Sequence, residues 1–100
     1  MKGNDARVVI DLNYPDFQSE LFDLEPAELR KVFKTLKKLR ALTWQEIFRD
    51  KGLHWEELKS RPGKYTVRLS QAYRAIVIRD GAAMRFQTLH SDHDSAYRKK

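Results

Sequence analysis

The sequence predicts one α+β domain over residues 1–100, a small antiparallel-rich sheet with helices packed on one of its faces. Three observations carry that prediction. A short β-branched segment opens the chain, an amphipathic stretch with helical spacing fills its middle, and three strand-like segments parted by turn signals close it. With 41% hydrophobic residues and 34% charged residues of both signs, the composition excludes a disordered tail. A chain of 100 residues encloses no deep cavity, so any site is expected to be an open groove.

Ala6-Arg7-Val8-Val9-Ile10-Asp11-Leu12 is β-branched and stopped by Asn13-Tyr14-Pro15, which predicts a first strand. Asp16 to Asp23 is ambiguous, although Phe17, Leu21 and Leu24 would share one face of a short helix. A firmer helix begins at Glu25-Pro26, where a first-turn proline loses no hydrogen bond. Leu29, Val32, Phe33, Leu36 and Leu39 form its apolar stripe, with Lys31, Lys34, Lys37 and Lys38 largely off it as a solvated or phosphate-tracking face. Thr43-Trp44-Gln45-Glu46 has the form of a capping box, and Gly52 supplies a stop, so a helix of two turns is expected with Trp44, Ile47 and Phe48 facing the core. Trp55 and Leu58 are expected to continue that core through another helical turn.

Arg61-Pro62-Gly63-Lys64 fits a type II turn, with glycine where φ must be positive. A meander follows: Tyr65 to Leu69, a tight connection at Ser70-Gln71-Ala72, Tyr73 to Arg79, Asp80-Gly81, then Ala83 to Leu89. With Ser70-Gln71-Ala72 as a three-residue loop, Val67 faces Ala75, Tyr65 faces Val77 and Arg68 faces Arg74. With Asp80-Gly81 as a two-residue loop, Val77 faces Met84, Ala75 faces Phe86 and Arg74 faces Gln87. Directly opposed residues share a face. One face therefore gathers Tyr65, Val67, Leu69, Tyr73, Ala75, Val77, Met84 and Phe86 as a core. The other gathers Thr66, Arg68, Arg74, Arg85 and Gln87 beside Ile76 and Ile78. Opposed arginines repel, a cost that a bound anion removes. A solvent-facing sheet rich in arginine is the alternative reading.

Charge separates along the chain. Residues 1–28 hold two basic against seven acidic residues, net −5, and residues 29–100 hold eighteen against seven, net +11. Such a basic excess suits a polyanionic partner. The absence of cysteine excludes disulfides, thiol catalysis and Cys-type zinc sites, with a reducing cytoplasm as the simple expectation. No apolar run reaches the ~20 residues of a membrane span, and no signal peptide follows Met1, so no membrane partner is expected.

Two of the three histidines, His90 and His93, fall within the tail Leu89-His90-Ser91-Asp92-His93-Asp94-Ser95-Ala96-Tyr97. Histidine suits acid–base chemistry near neutral pH. Beside arginines it matches the needs of RNA cleavage: a 2′-hydroxyl loses a proton, cations stabilise the pentavalent phosphate, and the 5′ oxygen gains a proton. The same tail offers nitrogen and oxygen ligands to a metal, but its spacing matches no established motif. Alternatively, Asp94 caps a terminal helix that carries Tyr97.

Taken in order, a helical pair, Gly63-Lys64-Tyr65-Thr66-Val67-Arg68-Leu69, Tyr73-Arg74-Ala75-Ile76-Val77 and a terminal His93-Asp94-x-x-Tyr97 resemble the RelE/ParE superfamily of bacterial toxin–antitoxin toxins. The likeness runs from about Leu24 to Arg98 and is best from Lys64 onward. It implies a small α+β fold and, for the RelE, YoeB and HigB branches, a ribosome-dependent mRNA endonuclease that uses the substrate's 2′-hydroxyl without metal or cofactor. By position, Arg74 resembles the family's phosphate-contacting arginine and Arg68 its catalytic or positioning basic residue. Tyr97 resembles the tail aromatic and His93 the tail histidine, with His90 beside them. Lys64, Arg85 and Gln87 are the expected RNA contacts. The chain departs from the RelE branch at Ser91 and Asp92, where that branch carries a second tail basic residue. The ParE branch shares the fold but inhibits DNA gyrase, and an inactive interaction module is a third possibility. The resemblance implies an acidic antitoxin as stable partner, with ribosome and mRNA as targets.

Overall fold

The computed structural model describes residues 3–91 and has the predicted α+β architecture. Strand β1 (Val9–Asp11) is followed by helices α1 (Pro15–Phe22), α2 (Pro26–Arg40) and α3 (Trp44–Arg49), then strands β2 (Glu56–Glu57), β3 (Lys64–Arg68), β4 (Tyr73–Asp80) and β5 (Ala83–Ser91). They build one sheet of order β1-β5-β4-β3-β2, antiparallel except where β1 runs parallel to β5.

The ambiguous segment after Pro15 is helical because Phe17 and Leu21 bury one face, with the Phe17 ring 5.2 Å from Phe86 on β5. On α2, Val32, Leu36 and Leu39 are buried, whereas Phe33 lies at the edge of the stripe and is 41% exposed rather than core. The capping box is formed: Glu46 N–H donates to Thr43 Oγ1 at 3.2 Å and Thr43 N–H to Glu46 Oε1 at 2.9 Å.

Gly52 does not end α3. Asp50 does so, its carboxylate accepting from Gly52 N–H at 2.9 Å and starting a 3-10 turn at Lys51–Leu53. The expected further helical turn is also absent. His54 takes a left-handed conformation (φ 50°), which reverses the chain into the edge strand β2, and Trp55 stacks on Tyr65 with ring centroids 4.7 Å apart. Phe48 is 44% exposed, although it packs on Trp44 and Trp55.

The Pro62-Gly63 turn forms as expected, with Gly63 at φ 86° and Lys64 N–H donating to Arg61 C=O at 3.1 Å. The β3–β4 register is also as expected: Tyr65 opposes Val77, Val67 opposes Ala75 and Arg68 opposes Arg74. The β4–β5 register is not. Gly81 and Ala82 form the loop, Asp80 opposes Ala83, and Val77 faces Phe86 rather than Met84. A bulge opposite Ile76 then advances β5 by one residue, so Ala75 faces Leu89 and Arg74 faces His90 rather than Gln87.

All three helices bury their apolar residues against Val67, Leu69, Ala75, Val77, Met84, Phe86 and Leu89 on one sheet face. Ile76, on the opposite face, is buried but stands outside that cluster. Glu20 Oε1 on α1 accepts from Leu89 N–H at 2.8 Å, satisfying a donor on the edge of β5 that β1 is too short to reach. Among the described residues, no helix is long and apolar enough to cross a membrane.

Candidate functional site

Opposed pairs in the two registers place Arg68 of β3, Arg74 of β4 and His90 of β5 in one transverse row on the sheet face away from the helices. Neighbouring strands lie about 4.8 Å apart, so the row spans about 10 Å. His90 enters it because of the bulge. Phe86 and Leu89 both face the core, and the residues between them, Gln87 and Thr88, are half-buried on the other side. Thr88 Oγ1 lies 2.9 Å from His90 Nε2 and fixes the imidazole at that atom.

The sheet arginines differ in what occupies them. Arg79 lies 4.2 Å over the Trp44 ring, donates to Gly81 C=O and to Asn4, and so ties the 3-10 turn at Gly3–Asp5 to the sheet. Arg85 pairs with Asp80 at 2.8 Å and with Asp11 at 3.6 Å, which neutralises its charge at the β1 end of the face. Arg74 is buried. Arg68 is half-buried, and its Nε is shielded from solvent with no hydrogen-bond partner. Among the described residues no acidic group pairs with it. The shielded Nε of Arg68 carries a desolvation cost that a bound anion would offset.

Lys64 and Gln87 meet across β4, with Lys64 Nζ donating to Gln87 Oε1 at 2.8 Å. They lie farther along the same face, near Ile76 and Ile78. Between the row and this pair, the buried Thr66 Oγ1 has no hydrogen-bond partner. Of the eight residues singled out from sequence, the structure therefore brings together Arg68, Arg74 and His90, sets Lys64 and Gln87 beside them, and engages Arg85 in ion pairs. His93 and Tyr97 lie outside the described residues. Among the described residues no cluster of three His, Cys, Asp or Glu side chains could hold a metal ion.

Sequence reasoning missed Thr88 as the partner of His90. The signal was present: Met84, Phe86 and Leu89 break the two-residue alternation, as a bulge requires. Comparisons with family models, curated proteins and solved structures return no match to this chain.

Proposed function

We infer that the protein is a toxin of a toxin–antitoxin pair, acting as a ribosome-dependent mRNA endonuclease in the cytoplasm. The observation that supports this best is the row Arg68–Arg74–His90, two cations directly opposed next to an imidazole held by Thr88. In-line cleavage by the substrate's own 2′-hydroxyl needs charge stabilisation at the phosphorane and proton transfer at both oxygens. Arg68 and Arg74 serve the first need. His90, with His93 and Tyr97 of the tail, serves the second, and no cofactor enters the step. The resemblance to RelE/ParE toxins in the order of elements supports the same reading, with an acidic antitoxin covering the cationic row.

Expression of the chain should arrest growth, stop translation and leave mRNA cut within translated regions, without a DNA-damage response. Arg68→Ala and His90→Gln should abolish the arrest while the purified variants retain the parent's circular dichroism spectrum. A damage response with intact mRNA would point to gyrase instead. Arrest that persists in both variants would remove the row from the mechanism.

A further inference from the structure

Beside the row lies a cleft of about 290 Å³ lined by Tyr14, Pro15, Asp16, Lys64, Gln87 and Thr88. We propose that this cleft is a nucleobase subsite, which takes the base attached to the phosphate bound by Arg68 and Arg74. The proposal rests on the nucleic-acid reading of the row.

Four features carry it. The volume is near the lower limit of small-molecule sites, about 300 Å³, so it accommodates a single planar ring system. The bulge puts two successive polar side chains, Gln87 and Thr88, into the same wall, which regular alternation forbids. Thr88 also touches His90, so the wall and the row share a hydrogen bond. Finally, the near wall of the cleft adjoins the row: Thr88 and His90 are two residues apart on β5, about 7 Å, while Lys64 on the far wall stands four residues from Arg68 on β3, about 13 Å.

The wall chemistry favours particular bases. Gln87 Oε1 is occupied by Lys64 Nζ, so the amide presents its Nε2 donors while Lys64 retains further N–H groups. Asp16 supplies the acceptor, and the half-buried Tyr14 ring supplies an apolar surface. A base with two adjacent N–H donors beside a carbonyl acceptor matches this set. Guanine fits in this way, offering N–H donors to the carboxylate and O6 to the amide and ammonium. Uracil fits worst, because a carbonyl oxygen flanks its single N–H on each side.

The test is an amide NMR titration of the full chain with guanosine 3′-monophosphate, uridine 3′-monophosphate and ribose 5-phosphate. All three should shift the amides of Arg68, Arg74 and His90. Only the nucleotides, guanosine more than uridine, should also shift Tyr14, Lys64, Gln87 and Thr88. Gln87→Leu should lower guanosine nucleotide affinity to that of ribose phosphate while leaving the shifts of the arginine row. Gln87→Glu, isosteric and still able to pair with Lys64, should do the same because it loses the Nε2 donors. Identical shift maps for ribose phosphate and guanosine nucleotide would overturn the subsite and leave the anion-binding row standing. No shift at the row with any of the three would overturn both.

Discussion

The arginines of this sheet differ in the groups that engage them. Arg79 rests on an indole and Arg85 on two carboxylates, so both serve the fold. Arg68 and Arg85 both have a shielded Nε without a hydrogen-bond partner, but Arg85 sits beside two carboxylates while Arg68 has no acidic partner among the described residues, so an added phosphate would engage Arg68. A purely structural ion pair sits elsewhere. Lys38 Nζ meets the Asp50 carboxylate at 2.8 Å, and that hydrogen bond, with the lysine charge and the Gly52 and Leu53 N–H groups, holds the carboxyl below its ordinary value of 3.8 despite some desolvation. A lowered folded-state pKa stabilises the protein above the unfolded value, and this contribution is lost as pH falls through the folded value. Asp50→Asn should therefore reduce the melting temperature at pH 7, and the gap from the parent should close as the pH falls below the ordinary carboxylate value. A gap unchanged across that range would show that the carboxylate charge facing Lys38 contributes nothing, since asparagine can still accept from Gly52 N–H.

Among the elements, the turns decide the register and the register decides the site. Gly63 holds φ at 86° with no atom within 4 Å of where a Cβ would stand, so the cost of Gly63→Ala comes from the backbone alone, about 1–2 kcal/mol. Chemical denaturation should report a loss of that size, and a neutral substitution would show that the turn relaxes. The β3–β4 pairing was legible because the connection at Ser70-Gln71-Ala72 admits one register that keeps Val67 and Ala75 together in the core. The β4–β5 pairing was not, since Asp80-Gly81 and Gly81-Ala82 are both plausible loops with glycine inside. That error moved every partner by two residues and left the faces unchanged, because side chains alternate with a period of two. The bulge shifted the pattern by one, and for that reason it altered the site by bringing His90 to Arg74. The edge strand at Glu56–Glu57 was hidden by a different cause: a non-glycine left-handed residue, His54, carries no local signature.

At the scale of the whole molecule, the helices and sheet give the chain one core on one face, and the opposite face carries the polar row together with the buried Ile76 and Thr66. Trp44 joins the two parts: it is fully buried, donates from Nε1 to Ala82 C=O at 3.0 Å, and supports Arg79. Trp44→Ala should cost about 3–5 kcal/mol, a large share of the total stability of about 5–15 kcal/mol expected for a domain this size. Denaturation followed by circular dichroism would measure it, and a loss under 1 kcal/mol would deny Trp44 that role. In the proposed function, the cationic row stabilises an attack made by the RNA itself. The most direct measurement follows cleavage on pre-formed ribosome complexes at fixed Mg²⁺, with mRNA carrying either ribose or 2′-deoxyribose at the cut position. A 2′,3′-cyclic phosphate end is expected from the ribose substrate, with the deoxyribose substrate bound but uncut, since the phosphate charge read by Arg68 and Arg74 is the same in both. Efficient cutting of the deoxyribose substrate would contradict the proposed function and assign the attack to an activated water.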